Sequence, residues 1–533
     1  MKSIKQSFIL FILGILFISS AQGQLFNEDL YKFGRALHYV SGYYVDSVNR
    51  GDMVETAIKE MLKDLDPHSV YLTPEEVKEM NEPLQGNFEG IGIQFNILDD
   101  TIYVISPISG GPSEKVGIRP GDRIVKIDGE NVAGINISTK GVRDRLLGEK
   151  GTKVNVSIKR NGVKELLEFT ITRDKIPIFS LDAAYMVEDN IGYIKLNRFA
   201  MTTVKEFREA AIELIDQGAN SFVLDLRDNG GGYLDQAISL ADQFFEEDKL
   251  LVYTEGLHVE KTESFSTPEG VAIDANLVVL IDEGSASASE IVAGAIQDWD
   301  RGIVVGRRSF GKGLVQKPLL LPDGSMIRLT VARYHTPTGR VIQKPYDDGV
   351  EEYAKDLLNR YNSGEFIYSD SIDFPDSLKY TTLTKNRLVY GGGGIMPDVF
   401  VPLDTSSFAS YYSGLIRKGI LNTFVLNYID ENRTALISNY PDFATYVEQF
   451  KVNDGIFNQL VDYAGEEGLE MAVNEDDTKS EEHIRRLIKA LIARDLWDMS
   501  EYFEIMNKKD DGFNTAIKTL KHWKSSNAQF LNP

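Results

Sequence analysis

Hydrophobic positions recur at two periods along this chain, and the changes of period divide it. From 24 to about 85 the period is helical. Leu30, Phe33, Leu37 and Val40 form one stripe; Val54, Ile58, Met61, Leu62 and Leu65 form another. Asp66-Pro67-His68-Ser69 closes the second helix, because the residue before a proline is pushed out of helical geometry. His68 is open there to two readings, a catalytic group or a turn residue. Thr73-Pro74-Glu75-Glu76 predicts a new helix, with a hydroxyl cap and proline at the first helical position. From about 86 to 173 the pattern shortens to strands between glycine turns. Ile93, Phe95 and Ile97 alternate, and further strands are expected over 101–105, 124–127 and 154–159.

From 174 to 404 strands alternate with helices. Strands are predicted over 191–199, 221–226, 250–253 and 277–281. Between them Phe207, Ala210, Ala211, Leu214 and Ile215 mark one helix, and Leu234, Ala237, Ile238, Ala241, Phe244 and Phe245 another. Such alternation implies right-handed crossovers and a partly parallel sheet, with ligands beyond the carboxyl ends of its strands. The stretch 346–380 is acidic, aromatic and irregular, and reads as a surface insertion. Beyond 404 helical spacing returns, with Ile484, Leu487, Ile488 and Leu491 as one stripe. No residue there points to chemistry; self-association, docking of an adaptor or other partner, and substrate tethering are the roles open to it.

Candidate chemistry concentrates between Leu277 and Gln316. The apolar run Leu277-Val278-Val279-Leu280-Ile281 reads as a buried strand. Asp282-Glu283-Gly284 breaks it, and Ser285-Ala286-Ser287-Ala288-Ser289-Glu290 leads into a helix marked by Ile291, Val292, Ala295, Ile296 and Trp299. A run of small residues here is most simply a helix cap. The amides at a helix start are nevertheless unpaired and partly positive, so a hydroxyl among them has oxyanion donors beside it. Gly306-Arg307-Arg308-Ser309-Phe310-Gly311-Lys312 nearly spells a phosphate-binding loop. Gly313 stands where the metal-binding hydroxyl belongs, and Leu314-Val315-Gln316-Lys317-Pro318 reads as a strand ended by its proline, where that motif requires a helix. The sharper pairing is a serine with Lys312, since a lysine in a desolvated pocket can serve as general base. On a strand Lys312, Leu314 and Gln316 share one face, which would let the Gln316 amide oxygen hold the amine. Spacing does not choose among Ser285, Ser287 and Ser289.

Composition narrows the field. Of 533 residues, 57 are basic and 80 acidic, a net charge of −23 that argues against nucleic acid, whose binding needs basic surface. Lys2 and Lys5, an apolar core over 8–18 and small residues to Gly23 predict a secretory signal peptide, hence a periplasmic or extracellular protein with no stable span in the mature chain. With no cysteine, six histidines and no ligand spacing, no metal or other cofactor is expected.

Three strings carry a resemblance: Gly284-Ser-Ala-Ser-Ala-Ser-Glu-Ile291, Ser309-Phe-Gly-Lys-Gly-Leu-Val-Gln316 and Asp225-Leu-Arg-Asp-Asn-Gly-Gly-Gly232. Together they resemble the C-terminal processing peptidases, or tail-specific proteases. The resemblance implies Ser287 as nucleophile, Lys312 as base and Gln316 as its partner. It places the oxyanion donors at Ala288 and in the glycine loop, at Gly231 first and otherwise Gly232. Arg227 reads as a structural ion-pair donor within that loop. The segment 86–173 resembles a PDZ domain, in which Gly90, Ile91, Gly92 and Ile93 would receive a peptide's free, apolar C-terminus. Family members often carry an arginine before the Gly-x-x-Gly-Thr turn; here Leu146-Leu147 stands there, and Arg143 or Arg145 are its candidate substitutes. The expected architecture is α/β and multidomain: signal peptide 1–23, N-terminal helical segment 24–85, inserted PDZ β-domain 86–173, protease core 174–404 and a mainly helical C-terminal domain 405–533. The expected function is a serine endopeptidase acting near the C-termini of exported proteins. Two rivals use the same residues: a non-catalytic peptide- or ligand-binding protein on this scaffold, and a small-ester or amide hydrolase pairing Ser287 with His335.

Overall fold

The computed structural model describes residues 28–188, 190–372, 374–405, 409–471 and 475–530. The expected signal peptide at 1–23 lies outside them. The chain divides into two compact units, 1–71 and 72–533. In the first, the two apolar stripes form the helices Glu28–Tyr43 and Arg50–Lys63. His68 is a turn residue: its amide and that of Ser69 both donate to Asp66 Oδ1, at 2.8 and 2.9 Å.

The second unit opens with the helix Pro74–Gln85. Its start is a reciprocal cap, in which the Glu76 amide donates to Thr73 Oγ1 and the Thr73 amide to Glu76 Oε2. A β-domain follows, with strands in the order Ile93–Leu98, Thr101–Pro107, Arg123–Ile127, Lys153–Lys159 and Leu167–Thr172. The chain enters and leaves it through a two-stranded stem, Asn87–Gly90 paired antiparallel with Asp174–Pro177. The strand Ile93–Leu98 is left at the sheet edge, facing the helix Thr139–Leu146.

The core is a six-stranded sheet in the order Leu181–Glu188, Ile191–Leu196, Ser221–Asp225, Asn276–Ile281, Ile303–Gly306 and Val399–Phe400. Its first pair is antiparallel and every later pair parallel. The continuous apolar runs of its inner strands have this cause: both faces are covered, so both alternating sets of side chains must be apolar. One set, including Phe222, Leu224, Val279 and Val304, packs under the helices Thr203–Asp216, Leu234–Asp242 and Ala288–Asp298. The other, including Tyr193, Val223, Val278 and Val305, packs against Phe513, Ala516, Ile517 and Leu520. Those four belong to the helix Asp511–Lys521 near the end of the chain. The third layer of the core is therefore supplied by the C-terminal region, not by 174–404.

A second, antiparallel sheet stands beside the first. Met326–His335 pairs with Leu250–Gly256 and, on its other edge, with Leu314–Leu320. Leu250–Gly256 thus leaves the parallel sheet that its alternation with helices suggested. Pro318 does not end its strand either: it pairs opposite Arg328, tolerated because Leu314–Leu320 is an edge strand with one side free of ladder bonds. The expected surface insertion contains the helix Val350–Asn362, whose Tyr353 and Arg360 are buried. The helical region beyond 409 has its own core, in which Ile484, Leu487, Ile488 and Leu491 meet Leu415, Val425 and Leu460. It also grips the β-domain, where Asp430 accepts hydrogen bonds from Arg123 at 2.7 Å and from the Tyr103 hydroxyl at 3.3 Å.

Candidate active site

The strand Asn276–Ile281 ends at Asp282, and the helix Ala288–Asp298 begins six residues later. Ser287 caps that helix with φ +55° and ψ −109°, a backbone region that side chains disfavour and that is found mostly where function holds it. The neighbouring serines are engaged elsewhere. Ser285 Oγ donates to the Leu226 carbonyl at 2.8 Å, and Ser289 Oγ to the Asn229 carbonyl at 2.8 Å; both are fully buried. These two hydroxyls lash the nucleophile turn to the glycine loop. Ser287 is half-buried and opens on a cavity of about 550 Å³.

Lys312, Gln316, Ala288, Gly231 and Gly232 line the same cavity. Lys312 Nζ donates to Gln316 Oε1 at 3.1 Å. The pairing does not arise from a shared strand face, because Lys312 precedes the strand Leu314–Leu320, and the ladder shifts register between Val315 and Gln316. Lys312 instead sits on a loop held by a group the sequence reading missed. Glu290, fully buried, accepts the amides of Ser287 at 2.8 Å and Lys312 at 2.9 Å through Oε2. Through Oε1 it accepts the Gly311 amide at 2.7 Å and the Ser309 hydroxyl at 2.6 Å. One carboxylate thus ties the backbones of the two residues together. Burial pushes its pKa from 4.5 up to about 6, against the opposing pull of those four donors. Tyr334 was missed as well. Its hydroxyl reaches the carbonyls of Ser287, at 3.2 Å, and Lys312, and burial raises its pKa well above the usual phenol range. The Ser-x-x-Glu spacing was a visible capping signal for Glu290; nothing local marks Tyr334. The loop is backed by the insertion: Arg360 donates to the carbonyls of Arg308 and Ser309, and Glu365 bridges Arg308 and Arg360.

The glycine loop lies against Ser287. Gly231 has φ +98°, and a Cβ on it would stand 2.9 Å from Ser287 Cβ and 2.8 Å from the Ala286 carbonyl, so only glycine fits. Its amide donates to Asn229 Oδ1 at 2.9 Å and is engaged within the loop. The Ala288 amide, at the first helical position, has no intrahelical acceptor. Arg227 is an ion-pair donor, to Asp225 at 2.6 Å and Asp510 at 2.8 Å. His335 is stacked face to face on Tyr253, its Nδ1 lies 3.2 Å from the Gly339 carbonyl, and it does not line the Ser287 cavity.

A second cavity, of about 530 Å³, lies between the edge strand Ile93–Leu98 and the helix Thr139–Leu146. Ile91, Gly92 and Ile93 line it with Phe95, Leu146 and Leu147; Gly90 does not, being paired with Asp174 in the stem. Arg143 lines it too, 3.9 Å from Glu82, whereas Arg145 donates to the Gly141 carbonyl. The helix Pro74–Gln85 borders both cavities, with Glu79, Glu82 and Pro83 on this one and Met80, Asn81 and Leu84 on the other.

Comparison with known proteins agrees with this architecture. The profile of peptidase family S41 matches residues 190–352, that of the PDZ domain 90–171, and that of the N-terminal domain of the activating protease CtpB 18–76. A family of unknown function, DUF8443, matches 411–498. The chain is 35% identical over 340 residues to the carboxy-terminal processing protease CtpA of Bacillus subtilis, covering 64% of this chain and 71% of that protein. It is 39% identical over 322 residues to the carboxy-terminal-processing protease of Bartonella bacilliformis, covering 59% and 73%. Among solved structures, the photosystem II D1 C-terminal processing protease matches at 32% identity over 58% of this chain and 83% of that one, with a TM-score of 0.34. The chain therefore belongs to the carboxy-terminal processing proteases of peptidase family S41, and it is a serine-type peptidase.

Proposed function

We propose that the peptidase acts by a serine–lysine dyad, with Ser287 as nucleophile and Lys312 as general base. The observation that carries this reading is the strained, half-buried Ser287 sharing one cavity with an amine that Gln316 holds by its side-chain oxygen. Neutral Lys312 takes the hydroxyl proton as Ser287 Oγ attacks the scissile carbonyl carbon. The carbonyl π pair moves onto oxygen, and the oxyanion is met by the Ala288 amide and a glycine-loop amide. Collapse expels the amine, which receives the proton back from Lys312; water then repeats the sequence on the acyl-enzyme. Gly231 serves as the second donor only when its bond to Asn229 Oδ1 is exchanged for the substrate oxygen. Gly232, on the same cavity, is the alternative donor.

The second cavity suits a peptide added as a strand along Ile93–Leu98, its last apolar side chain among Ile93, Phe95 and Leu146. The substrate class is then exported polypeptides with a free, apolar C-terminus. Among the described residues no helix is long and apolar enough to cross a membrane. The deciding experiment compares Ser287→Ala, Lys312→Ala and the double variant on a peptide ending in apolar residues. Each single change should abolish turnover to a similar degree and the double little further, as groups acting as a unit do. Near-wild-type turnover by Lys312→Ala would sink the dyad.

A further inference from the structure

Arg227 stands at the root of the glycine loop, and two carboxylates from distant parts of the chain divide its guanidinium. Nε and Nη2 donate to Asp225 at 2.6 to 3.1 Å, while Nη1 donates to both oxygens of Asp510 at 2.8 and 2.9 Å. Asp225 is fully buried and also accepts the Tyr193 hydroxyl at 2.8 Å and the Arg227 amide at 3.0 Å. Burial alone would push its pKa up; the charges of Arg227 and Lys195 prevail and hold it well below the carboxylate range. The Arg227 carbonyl accepts from Lys195 Nζ at 3.0 Å, and the Asp228 amide donates to Asp282 at 2.9 Å. Past these anchors the loop runs through Asp228, at φ +58°, into the three glycines. Beyond Asp228 it is held again, by Asn229 Nδ2 on the Leu196 carbonyl at 2.9 Å and by the Phe199 amide on the Gly231 carbonyl at 3.0 Å, so Arg227 fixes one end of a loop whose other end is tied to neighbouring strands.

Asp510 is the anchor that the C-terminal region contributes. It precedes the helix Asp511–Lys521, and its Oδ1 accepts the Phe513 amide at 2.6 Å, which caps that helix. Gly512 lets this turn approach closely, since a Cβ there would lie 3.3 Å from Arg227 Nη1. Phe513 packs edge-on against Tyr193 at 5.4 Å.

We propose that Asp510 is a positioning residue of the peptidase: through Arg227 it holds the 225–232 loop in register with Ser287, so turnover depends on a helix almost 300 residues from the loop in sequence. This rests on the reading of that loop as the oxyanion-binding element. The Ser285 and Ser289 hydroxyls couple the loop to the nucleophile turn, so a shift at Arg227 is felt at Ser287.

Asp510→Asn separates the two jobs of this side chain, because asparagine caps a helix as well as aspartate does but cannot supply the charged, two-oxygen contact. The expected melting temperature is within about 2 °C of wild type. Loss of one whole oxyanion donor costs about 10²–10³ in turnover, so displacing a loop that keeps its donors should lower kcat about tenfold. KM should be unchanged, and a fluorophosphonate should label Ser287 about tenfold more slowly. Asp510→Glu, which keeps the charge, should recover part of the loss. In an Arg227→Lys background, which already lacks the planar fork, Asp510→Asn should lower kcat less than about twofold further. A wild-type kcat and labelling rate for Asp510→Asn, or full additivity with Arg227→Lys, overturns the proposal. Ser287→Ala run in parallel separates the two failures: if it is inactive while Asp510→Asn is normal, only the clamp is wrong; if it still turns over, the reading of the site is wrong.

Discussion

Glu290→Gln tests how the two halves of the site are joined. Wild-type Glu290 accepts four hydrogen bonds, from Ser287, Ser309, Gly311 and Lys312. Its pKa stands at about 6, up from 4.5, because burial outweighs those donors. Relative to water, the buried site therefore disfavours the carboxylate against the neutral carboxyl by an amount on the order of 2 kcal/mol. Glutamine resembles the neutral form and recovers that amount at neutral pH. Against it, the new NH₂ group must face one pair of donors. On the Oε1 side the Ser309 hydroxyl, which already accepts the Ile395 amide at 2.6 Å, can rotate to accept the NH₂ as well, but its own hydrogen and the Gly311 amide then both lose their acceptor, at a cost of about 1–3 kcal/mol each. The cost equals or exceeds the gain, so the variant should fold but be up to about 4 kcal/mol less stable than wild type at pH 7. Its kcat should nonetheless fall about 10- to 100-fold, because the loop carrying Lys312 shifts at Gly311 and small misplacements of a reacting pair are costly.

The pH dependence isolates the carboxylate. A folded-state pKa above the unfolded value means that the native state holds the proton more tightly. Wild type therefore loses stability as pH rises from 4.5 to 6. Glutamine does not titrate, so in urea unfolding the variant should gain on wild type by about 2 kcal/mol across that window and by nothing above it. Shifts of other groups cancel in the difference. A difference that is flat or of opposite sign would refute the buried-carboxylate account. An unchanged kcat would show that Glu290 holds the fold without registering the site.

Gly231→Ala forces a Cβ to within 2.9 Å of Ser287 Cβ at a φ of +98°, and should abolish peptide hydrolysis while costing about 1–3 kcal/mol in unfolding free energy. Tyr334→Phe removes the hydroxyl that joins the Ser287 and Lys312 carbonyls. It should lower kcat about tenfold with KM unchanged, measured by steady-state kinetics on one peptide. Amidating the C-terminus of a peptide substrate should weaken its binding to the full-length Ser287→Ala protein in calorimetry by about tenfold or more; equal affinities would remove carboxylate capture at the Ile91–Gly92 loop.

The periodicities that were legible are those whose cause is local. Alternation at Ile93, Phe95 and Ile97 became an edge strand, the helical stripe at Ile484, Leu487, Ile488 and Leu491 became a buried helix face, and the doubly apolar run at 277–281 became an inner parallel strand. Thr73 and Pro74 marked a helix start because capping involves only four consecutive residues. Where one element's partner decides the outcome, the reading failed. Pro318 stays in its strand because Leu314–Leu320 lies at an edge, and edge position is a property of the sheet. Leu250–Gly256 reads like the parallel strands around it but pairs antiparallel with Met326–His335. Tyr353 and Arg360 looked like surface residues of an acidic insertion; their burial depends on the Lys312 loop folding against them.

The site divides in the same way. Residues that would meet the substrate sit in short contiguous strings, because a turn and its flanking amides are built from neighbours. The groups that fix those strings relative to one another are scattered. Tyr334 reaches Ser287 from 47 positions away, and Asp510 reaches Arg227 from 283. Three serines in one string were equivalent on paper, and only their hydrogen bonds separate them. Ser285 and Ser289 donate to the carbonyls of Leu226 and Asn229, across more than 50 residues of sequence, whereas Ser287 opens on the cavity. A hydroxyl already donating to a buried carbonyl must break that bond before it can be deprotonated for attack, at the full cost of leaving the carbonyl unpaired. That cost, more than position within the string, argues for the middle serine. It also implies that Ser285→Ala and Ser289→Ala should weaken the protein rather than silence it.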